Sequence, residues 1–113
     1  MIEVAIDLSD AVDEWAVVEA VESACYQSDL HLQMKTGLKK YPGCTHWHFK
    51  RSSETGILEV TWWPKPTGSD TRRLWLSVHG NRKAGWISEV MPRLKSMIEQ
   101  RLASAGSVID QKF

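Results

Sequence analysis

The chain has 113 residues, of which 42% are hydrophobic and 25% are charged, and its formal net charge is zero. This length and composition are typical of one globular domain with one hydrophobic core, and they argue against fibrous and disordered proteins. We therefore expect a single domain over residues 1–113. No apolar run approaches the roughly 18 residues of a membrane span, and the first residues lack the basic start of a signal peptide. The sequence thus predicts a cytoplasmic protein with no membrane partner.

The charges are divided unevenly along the chain. Residues 1–34 contain eight acidic residues and no lysine or arginine, whereas the remainder contains all 14 basic residues and only six acidic ones. Two interpretations of this asymmetry stay open. An acidic helix can lie beside basic strands of its own chain or of a twin chain, or the basic half can form a surface for phosphate or carboxylate.

The first 43 residues indicate a helix and a turn, with a short strand possible before them. Hydrophobic residues alternate over residues 2–8, which permits a short N-terminal edge strand. A helix is predicted from about Asp10, which can cap it, to near Ser28, and its apolar stripe includes Trp15. The sequence does not decide between a continued helix and a separate turn for residues 29–41. Pro42 followed by Gly43 predicts a type II turn.

Three strands are predicted between Cys44 and His79. They cover residues 44–51, 57–63 and 73–79, and the turn-rich segments between them predict hairpins. Side chains alternate between the two faces of a strand, so each of these strands has one apolar face. The two cysteines, Cys25 and Cys44, are expected to be free thiols because the chain lacks a secretion signal.

A final amphipathic helix follows and ends near Gly106. Its apolar stripe consists of Ile87, Val90, Met91, Leu94, Ile98 and Leu102. These elements predict an α+β fold, a two-layer sandwich in the order helix, three-stranded antiparallel meander, helix. The N-terminal strand is a possible addition at the sheet edge, and both helices are expected to cover the same face of the sheet.

The hairpins predict which residues lie side by side on the sheet. The turn between residues 51 and 56 places His48 opposite Glu59, because this register keeps the apolar side chains of both strands together. Two registers stay open for the next hairpin. One brings Ser77 beside Glu59, and the other brings His79 there.

The face that points away from the helices carries the candidate site. Its chemically informative residues are His46, His48, Glu59, Trp63, Arg73, Trp75 and His79. Exposed rings stack on bases or sugars, and basic groups bind phosphates, so this face suits an anionic or aromatic ligand, including nucleic acid. Tryptophan and arginine are also enriched at protein interfaces, so a homodimer is a further expectation. The favoured function is a non-enzymatic binding or assembly module without a cofactor.

Metal binding and acid–base catalysis are the alternatives on the same face. His46 and His48 point the same way, and with Cys44 they offer the ligand types of zinc or another divalent transition metal, with Glu59 or His79 completing the set. A His48–Glu59 pair also suits acid–base catalysis, because a carboxylate can orient an imidazole. No nucleophile elbow, phosphate loop or HExxH motif assigns an enzyme class. An enzyme that uses His46, His48 and Glu59 is therefore the second hypothesis.

Overall fold

A computed structural model of the chain describes residues 1–8, 12–68 and 71–110. The elements in chain order are β1 (Ile2–Ala5), α1 (Glu14–Gln27), β2 (His31–Leu38), β3 (Tyr41–Lys50), β4 (Leu58–Trp63), β5 (Arg73–Val78) and α2 (Gly85–Asp110). The strands form one antiparallel sheet in the order β1-β5-β4-β3-β2. The predicted α+β fold is confirmed. None of the described helices is long and apolar enough to cross a membrane.

The sheet contains two strands beyond the predicted three-stranded meander. β1 is the additional N-terminal edge strand and pairs with β5. β2 occupies most of the undecided segment 29–41 and pairs with β3. The turn between β2 and β3 lies at Lys39 and Lys40, so the turn predicted at Pro42 and Gly43 is wrong. These two residues lie inside β3, where the register with β2 shifts between Thr36 and Leu38 and Gly43 has a φ of 83°.

Helix α1 begins later than the sequence predicted and shares only part of the predicted apolar stripe, since Val21 and Cys25 are buried but Trp15 is not. The Asp13 carboxylate accepts a hydrogen bond from the Ala16 backbone N–H at 2.8 Å and caps the helix. The predicted cap, Asp10, lies outside the described residues. The buried residues are Val17, Ala20, Val21, Ala24 and Cys25. Trp15 is 76% exposed, so its predicted place in the core is wrong.

Both helices cover one face of the sheet, as predicted. Trp47, Val60, Trp62 and Leu76 belong to a single buried cluster with α1 and α2. All six residues of the predicted α2 stripe are buried in it as well, although the helix continues to Asp110 rather than ending near Gly106. Both cysteines are free, as expected. The main hydrophobic core thus lies on the helix side, while the other sheet face carries the polar residues and a smaller buried cluster that contains Trp63 and Trp75.

Gly56 allows the turn between β3 and β4 to approach the segment that leads into α2. Its φ is 101°, and a Cβ atom there would lie 2.7 Å from the Ala84 Cβ and 3.1 Å from the Arg82 carbonyl oxygen. The Ile57 backbone N–H donates a hydrogen bond to that same carbonyl oxygen at 3.1 Å. This close approach therefore anchors the backbone of Arg82 beside the sheet.

We expect Gly56→Ala to lower the free energy of unfolding by about 3 kcal/mol, because a left-handed φ and steric overlap both oppose the added methyl group. Urea denaturation measures this change. Gly68→Ala is the matched control, because Gly68 has a φ of 74° and nothing lies within 4 Å of the added Cβ. We expect this variant to lose only about 1 kcal/mol of the free energy of unfolding. Equal losses in the two variants would contradict the tight packing at Gly56.

Candidate functional site

The strand register brings the predicted site residues together. His48 lies opposite Glu59, and Glu59 lies opposite Ser77, so the predicted first register is confirmed and one of the two alternatives for the second is selected. His46 lies opposite Thr61 on the same face. His79 follows the end of β5, yet its Nε2 reaches within 3.2 Å of the Glu59 Oε2. Glu59 is thus the centre of a cluster drawn from three strands and the segment that follows them.

Three potential ligand atoms converge in this cluster. The Nε2 atoms of His46 and His48 are 3.1 Å apart. The Glu59 Oε1 lies 3.1 Å from the His46 Nε2 and 3.7 Å from the His48 Nε2. His46, His48 and Glu59 therefore offer two nitrogens and one oxygen that could surround a single metal ion. We call these three residues the His–Glu triad.

The triad is buried, although no helix covers this face. Glu59 and His46 have side chains that are only 5% and 6% exposed, and His48 is nearly as well enclosed. The Glu59 Oε2 is buried without a hydrogen bond from any described residue, while Arg82 Nη1 lies 3.8 Å away. The other oxygen, Oε1, lies 3.1 Å from the His46 Nε2, and the His79 Nε2 is 3.2 Å from Oε2. A buried carboxylate oxygen without a hydrogen bond is costly, so positive charge close to Oε2 would stabilise Glu59.

Thr61 orients the His46 ring. Its Oγ1 lies 2.8 Å from the His46 Nδ1, from the neighbouring strand β4. When the hydroxyl donates to Nδ1, the Nε2–H can donate to the Glu59 Oε1, which lies 3.1 Å away. When the Nδ1–H donates to the hydroxyl instead, the Nε2 lone pair is available to a metal ion. In either tautomer the contact with Thr61 holds the orientation of the ring, as the partners behind metal-binding histidines do. Sequence reasoning missed Thr61, although its position two residues after Glu59 on the same strand face was a usable signal.

Burial disfavours the charged form of both histidines of the triad. Burial lowers the pKa of His46 below its ordinary value, against the opposing effect of the Glu59 charge. Burial likewise lowers the pKa of His48, and the nearby Arg82 charge acts in the same direction. Neutral imidazole is the form that binds a metal ion, so both rings are prepared for coordination at neutral pH.

The predicted tryptophan platform is not an exposed surface. Trp63 and Trp75 are 8% and 4% exposed, because Tyr41 packs on both rings with centroid distances of 4.9 and 5.2 Å. The Arg73 guanidinium lies 4.5 Å from the centroid of a Trp75 ring. Cys44 packs in this aromatic cluster beside Trp63 and Trp75, rather than with the His–Glu triad. The aromatic and histidine parts of the predicted face are therefore separate clusters.

Comparison of the chain with protein-family models, with curated proteins and with solved structures finds no match. The site must therefore be interpreted from its own geometry. Two imidazole nitrogens and a carboxylate oxygen are a common donor set for zinc and for iron(II), and both ions leave positions open beside three protein ligands.

Proposed function

We propose that this protein binds one divalent transition metal ion, such as zinc, through the His–Glu triad. The observation that carries this proposal is the spacing of the three ligand atoms. Ligand atoms bonded at 2.0–2.1 Å to a tetrahedral ion lie roughly 3.3 Å from one another. The separations in the triad are 3.1, 3.1 and 3.7 Å, so shifts of a few tenths of an ångström suffice to place them around one ion.

The charges and the supporting contacts favour the same function. Two neutral imidazoles and one carboxylate carry a single negative charge, which a dication would neutralise in a site where Glu59 is costly to bury. His46 and His48 lie on β3, and Glu59 lies on β4 at the middle of the sheet. Ligands on paired strands are held more rigidly than ligands on loops. The site is therefore organised before an ion arrives.

We further propose that the protein is a binding module rather than an enzyme. Metal-dependent hydrolysis is the second candidate, because three-ligand zinc sites keep a position for water. Metal-free acid–base catalysis has less support, since the His48 Nε2 and the Glu59 Oε1 are 3.7 Å apart. An anionic or nucleic-acid partner, a homodimer and a cytoplasmic location stay predictions from the sequence. A ligand that stacks on Trp63 and Trp75 has little support because Tyr41 covers both rings.

Isothermal titration of the metal-stripped protein with zinc tests this proposal. We expect one ion per chain for the unaltered protein, and at least about 100-fold weaker binding for His48→Ala, because removal of a ligand costs more than the 10–100-fold typical of its supporting residues. The matched control is His31→Ala, since His31 is an exposed histidine on β2 outside the triad. Absence of binding, or equal losses in the two variants, would overturn the proposal.

A further inference from the structure

We propose that the metal-loaded site binds a small oxyanion, such as phosphate or a carboxylate, at the open coordination position, with Arg82 as its second contact. This inference rests on the proposed metal site and names the class of ligand that the site would take. It is carried by the exposure of Arg82 and His79, by the charges around Glu59 and by the position of the Arg82 backbone.

Arg82 and His79 are the solvent-exposed members of the cluster. Each side chain is 41% exposed, and each lies within 4 Å of the Glu59 Oε2. The triad itself is almost fully enclosed by neighbours such as Thr61 and Ser77, which are both buried. A ligand that reaches the ion from solvent would therefore approach past a guanidinium and an imidazole.

Metal binding would leave this part of the site with excess positive charge. Before an ion binds, the charge of Arg82 faces that of Glu59. With a dication bound, Arg82, Glu59 and the ion together would carry two net positive charges. Within the residues that the structure describes, Glu59 is the only carboxylate in the converging group, so the protein offers no second anion there. An exogenous oxyanion would restore the balance while completing the coordination of the ion.

Arg82 has the geometry for this role, and its guanidinium makes no hydrogen bond to any of the residues that the structure describes. Its Nη1 is 3.8 Å from the Glu59 Oε2, which is an ion-pair distance and too long for a hydrogen bond. The guanidinium is a planar fork that binds carboxylate or phosphate through two parallel hydrogen bonds. The backbone of Arg82 is held by the hydrogen bond from Ile57 and by the close approach of Gly56. The backbone of Arg82 is therefore held in place, while its guanidinium can contact a ligand.

Cobalt(II) replaces zinc as a visible probe in the test. The metal-stripped protein is loaded with cobalt, and its absorption bands are followed during titrations with inorganic phosphate and with acetate in a non-coordinating buffer. We expect a saturable spectral change with at least one anion, and the tighter of the two identifies the preferred class. In Arg82→Gln we expect cobalt still to bind, because its three ligand atoms are unchanged, and the anion affinity to fall at least 10-fold.

Arg51→Gln is the matched control. Arg51 is 38% exposed and also lies 3.8 Å from a carboxylate, that of Glu54, but it is outside the cluster. The Arg51→Gln variant should bind the anion with the same affinity as the unaltered protein. No saturable change with either anion, or the same affinity in Arg82→Gln, would overturn the oxyanion site while leaving the metal site intact. Absence of cobalt bands before any anion is added would overturn both.

Discussion

Replacement of Trp47 by alanine is expected to lower the free energy of unfolding by about 3–5 kcal/mol, the largest stability change that we predict. Trp47 is completely buried at the contact between β3 and the helices. Its Nε1–H donates a hydrogen bond of 2.9 Å to the Glu22 Oε2 on α1, and the Lys35 Nζ lies 5.9 Å from its ring centroid. The substitution removes the packing of a whole ring and one link between the sheet and α1.

Urea denaturation of Trp47→Ala and Trp15→Ala measures this effect with a matched control. Trp15 is the same residue type but is 76% exposed on α1, so we expect a change of at most about 0.5 kcal/mol. Similar losses in the two variants would contradict the placement of Trp15 at the surface. A loss below about 1 kcal/mol in Trp47→Ala would contradict the burial of Trp47.

The second large effect that we expect is stabilisation of the folded chain by zinc. At a free zinc concentration about 100 times the dissociation constant, binding to the folded chain alone should raise the free energy of unfolding by about 2.7 kcal/mol. Glu59→Gln should lose nearly all of this gain, because an amide supplies neither the charge nor the strength of a carboxylate ligand. Thermal unfolding of each protein with zinc and with a chelator measures the gain.

Glu54→Gln is the control for the zinc effect. Glu54 is an exposed glutamate in the turn between β3 and β4 that contacts Arg51, and it is outside the His–Glu triad. We expect this variant to keep the full zinc-dependent gain. If Glu59→Gln keeps it as well, the stabilisation comes from zinc bound elsewhere on the chain.

The arrangement of His46, His48 and Glu59 could be predicted from the sequence because it depends on the pairing of two strands that are joined by a short turn. A short turn and the alternation of apolar residues suffice to place His48 opposite Glu59, and the same alternation puts His46 on the same face. The contact between His79 and Glu59 arises although Ser77, not His79, is the direct partner in the ladder. Diagonal neighbours on a sheet lie within reach of long side chains. Either of the two registers left open for the second hairpin therefore brings His79 close to Glu59.

The aromatic part of the face could not be predicted because it depends on contacts that are distant in sequence. β2 is exposed along almost its whole length, so it lacks the apolar face that reveals a strand. Without β2 and its turn, nothing in the sequence indicated that Tyr41 would fold over Trp63 and Trp75. The Trp63 Nε1–H also donates a 2.9 Å hydrogen bond to the Pro42 carbonyl oxygen, which ties the ring to the start of β3.

The exposed position of Trp15 has a similar origin. Helical spacing alone permits two neighbouring stripes on α1, and the sequence favoured the one that contained the largest apolar side chain. The buried stripe contains Val17, Ala20 and Ala24, whose side chains are smaller than that of Trp15. The choice between the stripes is made by the shape of the core, which is a property of the folded chain.

X-ray diffraction from crystals grown with zinc, recorded at the zinc absorption edge, tests the central claim most directly. We predict one anomalous peak about 2.0–2.2 Å from the Nε2 atoms of His46 and His48 and from the Glu59 Oε1. A peak at His31 or Cys44 with none at the triad, or no peak at all, would contradict the proposed metal site.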